Sequence, residues 1–395
     1  MNIAICTDLF YPRLEGGGEI HTYNVAKHLI KFGHEVTVLC AKTSYFSQDS
    51  DHMLANEETV DGIHIIRARN GYQYGSTLRS LPALREMYQH LAGLISSGKV
   101  DIVNFTFFRP WVPSYFAAKG HVPCVPTVHL TSEGFALYKG WMHYDGGTVG
   151  GIAQRAVESA ILRAKYPLVI AVSETQRALL SRFFPPEKIR VVYNGVDLQT
   201  YDSIRSEGKK PYQVIFIGWL KRRKNVLDAI RAVEIARHDL RDLRLLILSG
   251  GGELEPLVKD LCAKRDYIEY HKKVSDVEKV RLLKESSLLL FPTLKEGFSL
   301  VPLEALACRT PFLAYNIPEM RELYDMSKGG VLVDGFDFRE LARRLVSLLK
   351  ERDLLLTLAE SGRKCVEERL TWEAVARREN DAFEDAISAF QTADN

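Results

Sequence analysis

The chain has 395 residues, 46% of them hydrophobic, with a formal net charge of +2, enough material for two globular domains with real cores. Its basic residues are spread through both halves, which argues against a nucleic-acid-binding face. Six cysteines lie far apart without a C-x-x-C pair, so neither a zinc site nor a disulfide framework is indicated, and reduced thiols in the cytoplasm are the simplest account.

The run Met1–Asp8 is a short apolar segment without a basic leader, so it reads as a first strand and not as a signal peptide. Further strands are predicted at Glu35–Cys40, Ile63–Arg67, Ile102–Phe105, Val125–Val128, Leu168–Val172 and Ile189–Tyr193. Helical patterns fall between them at Glu19–Phe32, Leu81–Ile95, Gln154–Arg163 and Glu174–Phe183. This alternation predicts a parallel doubly wound sheet. A turn signal at Asn194-Gly195-Val196-Asp197 and a polar stretch, Tyr201–Pro211, mark an interdomain linker.

A second series follows, with strands at Val214–Ile217, Leu243–Leu248, Ile268–Tyr270, Leu288–Phe291, Phe312–Tyr315 and Gly330–Val333. Helices are predicted at Asn225–Arg237, Leu254–Ala263, Val277–Lys284, Leu300–Ala307 and Phe338–Lys350. The division is 1–200, 201–370 and a terminal amphipathic helix in 371–395. Two tandem α/β domains leave a cleft as the default ligand site. No window approaches the roughly 18 apolar residues of a membrane span, although peripheral membrane contact stays open.

The most informative stretch is Phe291–Cys308. A buried strand runs into a Glu296-Gly297 turn, and a helix opens near Ser299. A helix start after a strand offers free N–H groups and a positive dipole end to a phosphate. Gly297 permits close backbone approach. Glu304 lies about 7.5 Å further along the helix axis, one ribose away from a diphosphate held at residues 298–300. Glutamates with this spacing are usually surface charges, but these flank an apolar turn, and buried carboxylates need partners. The arrangement suits a sugar nucleotide, with sugar at Glu296, diphosphate at Phe298, Ser299 and Leu300, and ribose at Glu304.

Other candidates have plainer readings beside them. Gly16-Gly17-Gly18 is either a flexible turn or a backbone cup for an anion or sugar. It is not a dinucleotide fingerprint, because His21 stands where the third glycine is required. His129 ends a strand and is either a packing residue or a group aimed at the ligand crevice. Lys221–Lys224 is either a solvated basic turn or a phosphate site. Ser249–Gly252 is a glycine turn. The aromatic run Asn104–Tyr115 is core packing, an acceptor wall or a lipid-facing surface, and Leu130–Gly147 reads as a mobile loop able to close over an acceptor.

The segment Ser287–Leu323 resembles the E-x7-E signature of family 4 of the retaining GT-B glycosyltransferases, and Thr7–Leu39 is similar over its whole length. The resemblance implies two Rossmann-like parallel-sheet domains facing a cleft, with a C-terminal helix crossing back to the first. It implies that Glu296 holds the donor sugar, that backbone from Gly297 holds the diphosphate and that Glu304 binds the ribose. Gly17 and Gly18 would face the diphosphate, and His129 would lie near the sugar. Gly218 to Asn225 resembles the family's G-R-L-x-x-x-K-G/N element, in which Arg and Lys neutralise the leaving diphosphate. Lys224 matches the lysine, Trp219 replaces the arginine, and Arg222 or Arg223 is left to supply the second cation. Lys273 and Val274 stand where members contact the base; Lys272 and Arg309 stand where the family usually has glycine.

The implied activity is metal-independent sugar transfer, with retention, to a hydroxyl of a glycan, lipid or small molecule. The implied donor is a UDP-, GDP- or ADP-linked sugar, and no further cofactor is implied. The rival readings are a sugar-nucleotide epimerase of the same fold and a non-catalytic sugar-nucleotide-binding protein, the latter suggested by Trp219.

Overall fold

The computed structural model describes residues 1–14, 16–42, 54–69, 80–106, 110–129 and 159–393. The predicted loop Leu130–Gly147 and the first half of the predicted helix Gln154–Arg163 lie outside them. The chain forms two compact units, Met1–Asn194 with Trp372–Asn395, and Gly195–Thr371.

The first unit holds an eight-stranded sheet of β1 (Asn2–Cys6), β2 (Glu35–Ala41), β3 (Glu57–Val60), β4 (Ile63–Ala68), β5 (Ile102–Phe105), β6 (Cys124–Val128), β7 (Val169–Ala171) and β8 (Ile189–Val191), in the order β3-β4-β2-β1-β5-β6-β7-β8. Its interior strands are short apolar runs buried on both faces, as parallel strands under helices are. The expectation of an all-parallel sheet needs one correction: β3 pairs antiparallel with β4 at the edge. The reversal is a two-residue hairpin in which Asp61 (φ 51°) and Gly62 (φ 81°) are both left-handed, the conformation that Asp-Gly favours.

The helix Gly17–Lys31 follows β1 and buries Val25, Ala26 and Leu29. The aromatic run continues into the helix Trp111–Ala118. Trp111 is in the core, where its indole N–H donates to the Tyr166 hydroxyl at 2.7 Å, whereas Phe116 is exposed. The terminal helix Trp372–Ala393 belongs to this unit and packs on Gly17–Lys31.

The second unit holds a six-stranded, wholly parallel sheet of β9 (Lys210–Ile217), β10 (Arg244–Ser249), β11 (Ile268–Lys272), β12 (Ser286–Phe291), β13 (Phe312–Tyr315) and β14 (Gly330–Val333), ordered β11-β10-β9-β12-β13-β14. The winding reverses between β9 and β12, and ligands of such sheets bind beyond the carboxyl ends of the strands at that point.

The stretch Tyr201–Pro211, expected to be a linker, lies inside this unit. Asp197 caps the helix Leu198–Ser203 by accepting from the Thr200 amide at 3.1 Å. Buried Arg363 ties that helix down, donating to both Asp202 oxygens (2.9 and 2.7 Å) and to the Ala307 carbonyl (2.7 Å). Polarity alone could not reveal this anchoring, because the partner arginine is 161 residues away. Among the described residues, no helix is long and apolar enough to cross a membrane.

Candidate active site

The carboxyl ends of β9 and β12 bring two loops together. After β9 the chain passes Gly218, makes a 3-10 turn at Arg222–Lys224, and enters the helix Val226–Ala236 through left-handed Asn225 (φ 56°). After β12 it passes Thr293 and Glu296 and enters the helix Leu300–Ala307. The Leu294 amide donates to the Arg223 carbonyl at 2.9 Å, which joins the loops through backbone.

At this junction the Lys224 ammonium donates to Glu296 Oε1 at 2.5 Å, and the Thr293 hydroxyl donates to the same oxygen at 2.7 Å. Arg223 lies 3.6 Å from that oxygen and donates to the Lys295 carbonyl at 3.1 Å. Lys224 and Glu296 are 7% and 6% exposed, so each charge depends on the other. Burial alone would raise the Glu296 carboxyl, but the charges of Lys224 and Arg223 and the bonds from Lys224 and Thr293 hold it below its usual value. Burial draws the Lys224 ammonium down to about 8, against the pull of Glu296. Near neutral pH the pair is therefore ionised. The lysine stem runs 3.6 Å from where a Cβ would stand on Gly218, and its ammonium lies 5.3 Å over the Phe291 ring.

Gly297, Phe298 and Ser299 connect Glu296 to the helix at Leu300, and Ser299 makes no side-chain cap, so its hydroxyl leaves the helix-start amides to another partner. Glu304 is 7% exposed within this helix. The Lys279 ammonium lies 2.8 Å from its Oε1, and the Tyr201 side chain stands beside it. The helix ends properly despite lacking the usual glycine. Arg309 adopts φ 52°, its amide donates to the Leu306 carbonyl (3.0 Å) and the Thr310 amide to the Ala305 carbonyl (2.9 Å), the paired bonds of a Schellman cap.

Trp219 packs against the glycine turn after β10. A Cβ built on Gly250 would stand 2.8, 2.9 and 3.2 Å from three adjacent indole carbons, so the ring lies across the Gly250 backbone. Of the two candidate replacement cations, Arg223 reaches Glu296, while Arg222 is exposed. Lys273, at φ 53°, and partly exposed Val274 follow β11. Lys272 is a surface partner of Glu255, at 2.8 Å.

In the first unit, Gly17 and Gly18 are the opening residues of their helix, and the Thr22 hydroxyl donates back to the Gly18 carbonyl at 2.9 Å. His129 follows β6, and its ring meets His21 edge-on at a centroid distance of 5.0 Å. Burial, and secondly His21, keep the His129 imidazole well below its usual pKa. His21 is held by Asn194 Oδ1 and Glu379 Oε2, both at 2.9 Å.

The structure therefore joins Lys224, Arg223 and Glu296 directly and places Glu304 with Lys279 and Tyr201 in the same unit. Sequence reasoning missed Thr293, Lys279, Tyr201, His21 and Glu379. Thr293 could have been found, since it lies three residues before Glu296 in the same turn. The others become partners only through folding.

Residues 15–200 match the family described as Glycosyltransferase Family 4, and residues 199–365 match Glycosyl transferases group 1. The chain is similar to an uncharacterized glycosyltransferase of Methanocaldococcus jannaschii, with 23% identity covering 98% of this chain and 99% of the relative. It also superposes on sucrose-phosphate synthase from Thermosynechococcus elongatus with a TM-score of 0.79, at 18% identity over 98% of this chain and 100% of that one. Superposition on Anabaena HepE in complex with UDP-glucose gives a TM-score of 0.71, at 16% identity over 97% and 99% of the two chains.

Proposed function

This chain belongs to the GT-B glycosyltransferases of group 1, and we propose that it moves a sugar, with retention and without a metal, from a nucleotide-diphospho-sugar to an acceptor hydroxyl. The carrying observation is the Lys224–Glu296 pair with Arg223 at the switch point of the second sheet.

Glu296 receives hydrogen bonds from hydroxyls of the donor sugar. As an ionised, buried acceptor it is already oriented by Thr293 and Lys224. Lys224, Arg223 and the amides at Ser299 and Leu300 take the diphosphate, with Gly218, Gly297 and Phe298 giving the backbone room to approach. Glu304 takes the ribose, and Val274 lies at the base. The candidate residues in the first unit are Gly17, Gly18 and His129.

In the transfer step the bond from the anomeric carbon to the diphosphate oxygen breaks, and its electron pair leaves with the phosphate. The acceptor oxygen bonds to the same face of that carbon, and its proton passes to the departing phosphate oxygen. Lys224 and Arg223 stabilise the growing negative charge, which is where preorganised charge lowers a barrier most. Orientation by Glu296 supplies much of the rest. Uridine is the first base to test, because the similar HepE structure holds UDP-glucose.

A thermal-shift screen of UDP-, GDP- and ADP-sugars identifies the donor, since a ligand that binds only the folded state raises its stability. Transfer by Glu296→Ala should then be lost while nucleotide binding weakens only modestly. Unchanged transfer would sink the assignment.

A further inference from the structure

We infer that Lys279 is a positioning residue for Glu304, holding its carboxylate in one orientation for the donor ribose. The inference rests on the reading of Glu304 as the ribose partner.

Three elements converge on this carboxylate. Glu304 projects from the helix Leu300–Ala307, Lys279 from the helix Asp276–Glu285 and Tyr201 from the helix Leu198–Ser203. The Lys279 ammonium lies 2.8 Å from Glu304 Oε1 and 3.1 Å from Asp276 Oδ1. Asp276 is a solvent-facing residue of the first turn, so the lysine is steered from one side and spends its main contact on Glu304. The Tyr201 side chain faces the same carboxylate. The titratable groups facing Glu304 are Lys279, Asp276, Tyr201 and Cys308.

The chemistry requires such support. A ribose diol donates two O–H bonds, and an ionised carboxylate is the side chain that can accept both. A carboxylate only 7% exposed pays heavily for its charge and takes up a proton when it has no partner. Protonated, it would turn one acceptor oxygen into a donor. Lys279 supplies the compensating charge: burial works against its ammonium, but the charges of Glu304 and Asp276 outweigh burial and raise its pKa. With Oε1 fixed by Lys279, the direction of the carboxylate is set before the nucleotide arrives, which reduces the ordering cost of binding.

A purely structural ion pair would also look like this at rest, so the test must read the ribose. Calorimetric titrations use whichever of UDP, GDP and ADP wild type binds most tightly, together with its 2′,3′-dideoxy counterpart. Lys279→Met should weaken the ribonucleotide about tenfold, equivalent to roughly 1.4 kcal/mol, and leave the dideoxy nucleotide within twofold of wild type. In turnover, the donor KM should rise and kcat should hold. Lys279→Arg should restore most of the affinity.

Equal losses for the two nucleotides, or no loss with Lys279→Met, would overturn the inference. Tighter ribonucleotide binding would overturn it too, because Lys279 would then be a competitor for the carboxylate. Glu304→Gln separates the two levels of the argument. If it leaves ribonucleotide affinity unchanged, the ribose reading itself has failed. If it weakens affinity while Lys279→Met does not, only the positioning role has failed.

Discussion

Glu379, in the terminal helix, bonds His21, in the first helix, at 2.9 Å across 358 residues of sequence. Both are almost fully buried, at 2% and 0% exposure, and Thr127 at the end of β6 lies 3.4 Å from the other Glu379 oxygen. The contact closes the first unit with the last helix of the chain. Glu379→Ala strands buried polar partners, so it should cost about 2 kcal/mol or more, read as a lower denaturant midpoint. Glu379→Gln, which preserves hydrogen bonding, should cost less. Equal midpoints for wild type and Glu379→Ala would show that the network adds nothing.

Lys224 gives the proposed donor site a basic limit. In the proposed reaction its ammonium, drawn down to about 8, carries the charge that attracts the diphosphate and loses it as pH rises through that value. Donor capture is therefore strongest below pH 8. It should fall above pH 8, visible as an alkaline decline in kcat/KM, which reports the free enzyme. Lys224→Arg should be slower but should lack this decline, since a guanidinium stays charged. A wild-type profile flat to pH 9.5 would remove Lys224 from the capture step.

Trp219 and Gly250 form a matched pair. Gly250→Ala would drive a methyl to within 2.8 Å of the indole, and overpacking of this kind costs about 1–3 kcal/mol. In a Trp219→Ala background the same change should be nearly neutral. A double-mutant cycle measures the difference, and an additive result would contradict the packing.

Arg309 is strained by its left-handed backbone at φ 52°. Arg309→Gly and Arg309→Ala both remove the exposed bond to Glu360, but only glycine relieves the backbone. The glycine variant should be the more stable by about 1 kcal/mol, seen as the higher melting temperature.

The sheets were largely legible because their interior strands are continuous apolar runs between helical patterns. β3 was not, because Glu57 and Glu58 make a polar edge strand whose only signal is the Asp61-Gly62 turn. The helix Leu198–Ser203 was hidden for a similar reason: its anchor is Arg363, brought in from a distant helix.

For the candidate site, residue types and local spacing already marked Glu296, Gly297 and Glu304, because a strand, a glycine turn and a helix start are written in consecutive residues, and the resemblance marked Lys224. The sequence by itself also determined the α/β class and the presence of a group 1 glycosyltransferase signature. It could not decide which of Arg222 and Arg223 reaches Glu296, since they differ only in direction once the 3-10 turn has formed. Nor could it show that Lys224 lies against Glu296, 72 residues on, or that Lys279 pairs with Glu304. Those relations belong to the tertiary structure. Hydrophobic periodicity specifies which face of an element is buried, whereas buried charges find their partners only when strand order brings separate loops to one edge of a sheet.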